Sequence, residues 1–283
     1  ELLDYNGEEL KKTVFQYIDL WELEDSFRSW VEQAVTFCST LVDRIVTGYP
    51  RDEAQKIEEE LGYKDTFLVT GEYFHLFVIQ APKFVAEELK IEGAGLNIEV
   101  VDDLGPYKNR KVGILNGCHT ALVPVAYLYG IDLVKDAVCE DDLARFIEKL
   151  LGEEIIPTLG MDEDYLKEYA ASVIGRFKNP FIQHRLLDIS LNSMSKFRTR
   201  ILPQFLKYYD KNSNVPPLMS LALAALICFY RGERDGEPTP CKDDQRFLDL
   251  YAELWKDADS LDIAQAKKIA EGILGLSDHW GVV

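Results

Sequence analysis

The chain is predicted to fold as an α/β unit followed by an all-helical one. Three observations carry this expectation. Up to about residue 105, stretches rich in β-branched residues alternate with charged, helix-like ones. Beyond Gly105-Pro106 helical periodicity dominates, punctuated by Pro157, Gly175, Pro180, Pro203 and Pro216-Pro217. The 283 residues are 47% hydrophobic and 28% charged, which suffices for two cores.

Taken in order, Gly7 to Leu20 reads as a helix and Asp25 to Val31 as a shorter one. FCSTLVDRIVTG (37–48) is β-branched and ends in Gly-Tyr-Pro, a strand running into a turn. Arg51 to Leu61 is charged and helical in pattern. TFLVTG (66–71), YFHLFVIQ (73–80) and IEVVDDL (98–104) read as strands, the second stopped by Ala81-Pro82. The boundary is expected near 105–110, with residues 1–105 as the first unit and 106–283 as the second. Leu218 to Tyr230 is apolar on nearly every face. It is shorter than the roughly 18–20 residues a bilayer requires, so it is expected to be a central core helix. GERDGEPTP (232–240) is expected to be a surface loop.

The net charge of −18 argues against nucleic acid as a partner, because an acidic surface repels phosphates. No apolar run is long enough for a membrane helix. The charge is uneven: residues 176–211 hold eight basic side chains and only two acidic ones, Asp188 and Asp210. Such an island is either a site for a small anion or a basic face balancing acidic neighbours. Five widely spaced cysteines without a C-x-x-C pair favour a reducing compartment, hence the cytoplasm. The four histidines show no metal-ligand spacing, so no metal is expected.

The segment richest in chemistry is KVGILNGCHTAL (111–122), where Lys111, Asn116 and His119 stand among apolar and small residues. Asn116 and His119 are three apart and share a helix face, with Lys111 a turn or more upstream on a neighbouring arc. Apolar surroundings lower a lysine's pKa and make it usable as a base near neutrality. An asparagine can donate to an oxygen on which charge builds, and a histidine can hold a hydroxyl. A solvated helix-start lysine with two satisfied core polar residues would give the same pattern.

The spacing Lys111-x4-Asn116-x2-His119 resembles the catalytic signature of the mannitol dehydrogenase family of polyol and hexuronate dehydrogenases. STLVDRIVTGYP (39–50) resembles that family's N-S-M-V-D-R-I-x-P segment, with Asp43 and Arg44 in register. NPFIQHRLLDISLNSMSKF (179–197) resembles its N-P-x-x-x-H-R segment, although the D-G-S-x-K tail is replaced here by Asn192-Ser193-Met194-Ser195-Lys196. Among the members, FCSTLVDRIVTGYPRDE and ILNGCHTALVPVAYLYG are most similar to the branch acting on tagaturonate.

The resemblance implies a Rossmann-type domain that binds NAD, with Asp43 on its cofactor side. It also implies a helical domain, related to that of 6-phosphogluconate dehydrogenase, which carries a hexuronate site. Lys111 would be the acid/base, Asn116 the oxyanion donor and His119 the sugar-orienting residue. The chain opens at Glu1 without an initiating Met, and no strand–GxGxxG–helix pattern occurs; GAG at 93–95 precedes a strand instead. The expectation is a carboxyl-terminal part whose residues 1–105 are the tail of the cofactor domain, the remaining Rossmann half lying upstream in the same protein. If 185–201 is one helix, Asn192 and Lys196 fall within about 20° of Arg185, one on either side. Leu187, Leu191, Met194 and Ile201 would then form the opposite, apolar face. That polar stripe could bind a substrate carboxylate, or be an exposed face. Fructuronate or mannitol reduction, or a non-catalytic helical dimerisation module, are the alternatives.

Overall fold

The computed structural model describes residues 3–256, 258 and 262–281. The chain divides into two compact units, Glu1–Asn109 and Arg110–Val283.

In the first unit, α1 (Asn6–Leu20) and α2 (Asp25–Ala34) precede β1 (Ser39–Asp43), β2 (Val46–Gly48), α3 (Ala54–Leu61), β3 (Thr70–Gly71), β4 (Leu76–Gln80), α4 (Phe84–Glu88) and β5 (Ile98–Val101). The sheet order is β1-β4-β5, with β1 antiparallel and β5 parallel to β4. Its core is Leu76, Val78 and Leu104, packed by Leu41, Phe74, Val101 and Tyr107. Helix α1 is pinned to β1 by Asn6, whose amide oxygen accepts from Thr40 N (2.7 Å) and whose Nδ2 donates to Thr40 Oγ1 (2.8 Å). Gly7 permits this approach: a Cβ there would lie 2.3 Å from the Cys38 carbonyl carbon.

Two strand expectations need correction. The 37–48 strand is interrupted at Arg44–Ile45, where the Ile45 amide donates to the Glu72 carboxylate (2.6 Å) instead of to a ladder. Of 66–71, only Thr70–Gly71 pairs, with β2. Asp65 captures the Phe67 amide in a local turn (2.9 Å), and Phe67 and Val69 are exposed.

Among its described residues the second unit is helical apart from one hairpin and one isolated bridge. It follows α5 (Gly105–Arg110), which runs into a π-helical turn at Lys111–Asn116 and then α6 (Gly117–Leu128). Next come α7 (Val134–Ala137), α8 (Asp141–Lys149), a second π turn (Leu150–Ile155), a 3-10 turn (Ile156–Thr158) and α9 (Glu163–Phe177). The order continues with α10 (Leu186–Ile189), α11 (Ser193–Arg200), α12 (Leu202–Asn212) and α13 (Pro217–Phe229). The hairpin β6 (Glu233–Arg234) and β7 (Glu237–Pro238) leads to α14 (Gln245–Trp255), α15 (Ile263–Leu274) and α16 (Ser277–Trp280).

The central helix is α6, buried from Gly117 to Tyr127 except at Val125, which is half-buried. Helix α13, expected in that role, packs one face on α6 and exposes Leu221 and Ala224 on another. Its first turn is capped from outside: the buried Glu154 carboxylate accepts from Leu218 N (2.7 Å) and Met219 N (2.8 Å), donors that Pro216 cannot satisfy. The 232–240 stretch is a tight hairpin through Asp235-Gly236, both at positive φ. Its Arg234 guanidinium lies 4.0 Å from the Tyr127 ring and donates to the Tyr127 carbonyl (3.1 Å).

The single helix expected across 185–201 does not form. Helix α10 ends at Ile189, Asn192 takes a left-handed conformation (φ 55°) and α11 begins at Ser193. The break is held by the Asn192 amide, which donates to the Lys242 carbonyl (2.9 Å) rather than back along a helix, and Ser193 Oγ donates to the Ser190 carbonyl (2.6 Å). Arg185, Asn192 and Lys196 therefore do not make a stripe, and Leu191 is exposed rather than on an apolar face.

Candidate active site

Why Lys111, Asn116 and His119 converge follows from the π turn. In a regular α-helix Lys111 and Asn116 would point about 140° apart. In a π turn residue i bonds to i+5, so Asn116 stands one turn above Lys111. His119 follows three α-helical residues later, about 60° round from Asn116. All three thus lie along one side of the rod, where the sequence placed Lys111 on a neighbouring arc. Lys111 and Asn116 are half-buried, and His119 is 6% exposed.

The start of the π turn is clamped to α9. The buried Arg110 guanidinium lies 4.1 Å from the Tyr169 ring and 5.1 Å from the Tyr165 ring, and donates to the Tyr165 hydroxyl. Gly113 lets the turn close on Leu159, whose Cδ2 would stand 2.8 Å from a Cβ. At Gly117 the backbone of α11 comes close: a Cβ would meet the Arg200 carbonyl oxygen at 3.8 Å and Ile201 Cδ1 at 3.5 Å.

His119 lies in a nest of rings and cations. Its imidazole stacks on Phe177 (centroids 4.0 Å apart, planes 20° apart) and meets His184 edge-on at 5.2 Å. Its Nε2 is buried and has no hydrogen-bond partner among the described residues. Burial lowers its pKa well below the usual histidine value, and the charges of His184, Arg200, Arg176 and Lys196 lower it further. The imidazole is therefore neutral at physiological pH, able to donate through one nitrogen and accept through the other.

Lys196 and Arg200, four residues apart on α11, supply two of those charges. Lys196 Nζ donates to the Ile189 carbonyl (2.7 Å). Burial, and after it Arg200, pull its pKa down to about 8, opposed by Asp243. Arg200 Nη1 donates to Thr120 Oγ1 (3.3 Å), and that hydroxyl donates to the Asn116 carbonyl (2.8 Å). The guanidinium is thereby tied to the turn bearing Asn116 and His119. Asp243 anchors the other end of α11, its Oδ2 accepting from Met194 N (3.1 Å) and from the Tyr230 hydroxyl.

Of the residues singled out from sequence, Lys111, Asn116, His119 and Lys196 are drawn into this region. Arg185 and Asn192 are exposed at the ends of α10 and α11, and Arg185 is not among the charges acting on His119. Asp43 is buried at the end of β1, in register with Leu76, within the first unit. Sequence reasoning missed Arg200, Arg176, Phe177 and His184 as neighbours of His119. The basic island at 176–211 was the available signal, but it did not say which of eight cations turn inward.

Comparison with known proteins gives a consistent picture. Residues 103–282 match the mannitol dehydrogenase C-terminal domain, and residues 1–93 match the mannitol dehydrogenase Rossmann domain. The altronate oxidoreductase of Yersinia pestis bv. Antiqua (strain Nepal516) is 53% identical over 281 residues, 99% of this chain. That of Escherichia coli O6:K15:H31 (strain 536 / UPEC) is 53% identical over 280 residues. The chain spans 58% of the length of each of these relatives. Two solved structures share the fold. One is Pseudomonas fluorescens mannitol 2-dehydrogenase in a ternary complex with NAD and D-mannitol (TM-score 0.72, 21% identity, 98% of this chain and 54% of that one). The other is a substrate-free D-sorbitol dehydrogenase (TM-score 0.74, 23% identity, 99% and 57%).

Proposed function

The chain belongs to the mannitol dehydrogenase family, and from that premise we propose that it is the substrate-binding and catalytic portion of an NAD-dependent oxidoreductase interconverting tagaturonate and altronate. The observation carrying the reading is the single line of Lys111, Asn116 and His119 along one helical rod, with His119 set among cations. A line of acid/base, amide donor and neutral imidazole suits carbonyl reduction, and the cations suit an acid substrate. Relatives at 53% identity that are altronate oxidoreductases support the choice of acid.

In this reading residues 106–283 form the substrate and catalytic domain, and residues 1–105 the tail of the NAD-binding domain, with Asp43 on the cofactor side. NAD, when bound, supplies or takes up the hydride. Among the described residues no phosphate cradle forms: Gly93 and Gly95 sit at positive φ in a turn leading into β5, not between a strand and a helix N-terminus. The cradle is proposed to come from the part of the protein outside these 283 residues.

The remaining chemistry belongs to this chain. In reduction the Lys111 ammonium gives its proton to the ketone oxygen as the carbon is reduced. In oxidation the neutral amine takes the hydroxyl proton back. The Asn116 amide donates to the oxygen as negative charge develops there. Neutral His119 orients the sugar, and Lys196 faces the carboxylate end. Five free cysteines support a cytoplasmic location. Among the described residues no helix is long and apolar enough to cross a membrane.

The test is an NADH-consumption screen of the intact enzyme against tagaturonate, fructuronate and fructose. Tagaturonate should be reduced with the highest kcat/KM. Preference for fructose would overturn the acid assignment.

A further inference from the structure

We infer that Arg200 is the residue by which this enzyme selects an anionic substrate over a neutral one, its guanidinium joining the Lys196 ammonium and His119 Nε2 in a carboxylate subsite beside the catalytic line. This rests on the sugar-acid reading above and extends it to a residue that neither the motif nor the family signature marks.

Three observations converge on that subsite. First, Lys196 and Arg200 stand at i and i+4 on an eight-residue helix, where like charges repel. Both are half-buried, and among the described residues neither has a carboxylate within ion-pair distance. Partly buried cations without a counter-charge weaken a fold, and an arriving anion removes that penalty. Second, Arg200 is held in place without being neutralised. Among the described residues its hydrogen bond goes to the Thr120 hydroxyl, leaving the rest of the guanidinium fork for a planar, two-oxygen acceptor. Third, His119 Nε2 is a buried polar atom in the same cluster with no partner among the described residues. Burial, and after it the surrounding charges, keep the ring neutral, so the nitrogen adds a directional contact and no third charge.

A neutral polyol offers hydroxyls that would leave Arg200 without a counter-charge and Lys196 with only the more distant Asp243. A sugar acid would bring one carboxylate to that cluster. The route from α11 to the catalytic turn is short, through Thr120 Oγ1 to the Asn116 carbonyl, so a bound carboxylate would also fix the distance from the acid end of the sugar to the reacting carbon.

The experiment uses the intact enzyme with Arg200→Met and Arg200→Lys, and two readouts. Calorimetry measures binding of altronate and of mannitol, a charged and a neutral ligand. Steady-state kinetics measures tagaturonate and fructose reduction. Arg200→Met should weaken altronate binding about tenfold or more, the loss of one charge-assisted contact, while mannitol binding stays within about twofold. Arg200→Lys keeps the charge but not the fork, and should weaken altronate alone by a smaller factor. It decides the matter if the methionine variant does not fold. Unchanged altronate affinity, equal losses on both ligands, or no altronate binding by the wild type overturns the inference. The reading of the reaction fails separately: a wild type that binds altronate through Arg200 but reduces no sugar acid would sink the tagaturonate assignment and leave the subsite standing.

Discussion

At the scale of single residues the proposed reaction rests on a lysine, and that is directly testable. Lys111→Ala in the intact enzyme should lower turnover by several orders of magnitude while NADH affinity stays close to wild type. A small primary amine added to the variant should restore part of the activity by replacing the lost base. Asn116→Ala should cost about 10²–10³ in kcat, the scale of one oxyanion donor. Oxidation requires the neutral amine and should rise with pH, whereas reduction requires the ammonium and should be favoured at lower pH. Near-normal turnover in Lys111→Ala would end the mechanism. Lys196 predicts a second pH effect, on binding. Its pKa is lowered to about 8, so it is an ammonium below that pH and increasingly neutral above it. The KM for tagaturonate should be flat below about pH 8 and rise above it, while the KM for fructose should not follow. A tagaturonate KM that stays flat to about pH 10 would remove Lys196 from the carboxylate contact.

At the scale of elements, α11 is the piece whose placement matters most, and Asp243 places it. Asn192, the residue before the helix, makes no side-chain cap, so the first-turn amide of Met194 is satisfied from another segment by Asp243. The carboxylate also sits where the helix dipole is positive. Asp243→Asn should therefore cost about 1 kcal/mol, the usual worth of a cap. That corresponds to a melting-temperature drop of roughly 2–4 °C. Because Asp243 raises the Lys196 pKa, its neutralisation should also move the KM inflection to lower pH. A drop in melting temperature with an unmoved inflection would make Asp243 a structural cap only.

At the scale of the whole molecule, the absence of a strand–GxGxxG–helix junction from all 283 residues sets an expectation for cofactor binding. Expressed by itself, this chain should not bind NADH with submicromolar affinity, because among the described residues nothing presents several backbone amides to a pyrophosphate. Calorimetry on the chain and on the intact enzyme would compare the two, and submicromolar binding by the chain alone would mean that the dinucleotide is held elsewhere. The core has its own test. Leu122 is fully buried in α6, and Leu122→Ala should destabilise by about 2–5 kcal/mol, read by denaturant unfolding.

The sequence by itself determined the α/β-then-helical order and most helix positions, while its family resemblance pointed to Lys111, Asn116 and His119. Those depend on local periodicity, turn residues and fixed spacing, all of which are written in short windows of the chain. It overstated the strands at 37–48 and 66–71, because a β-branched run becomes a strand only where a partner accepts its amides, and Glu72 and Asp65 took them instead. It drew one helix through 185–201, because the Ser190–Asn192 break is fixed by the Lys242 carbonyl, fifty residues on in the chain. Only the tertiary structure decided that a π turn puts Lys111 in line with Asn116, that α6 rather than α13 is central, and that Lys196 and Arg200 turn toward His119 while Arg185 stays at the surface. The physical reason is common to all three: which way a side chain faces is set by helix phase and by the neighbours it packs against, and both are properties of residues far apart in sequence.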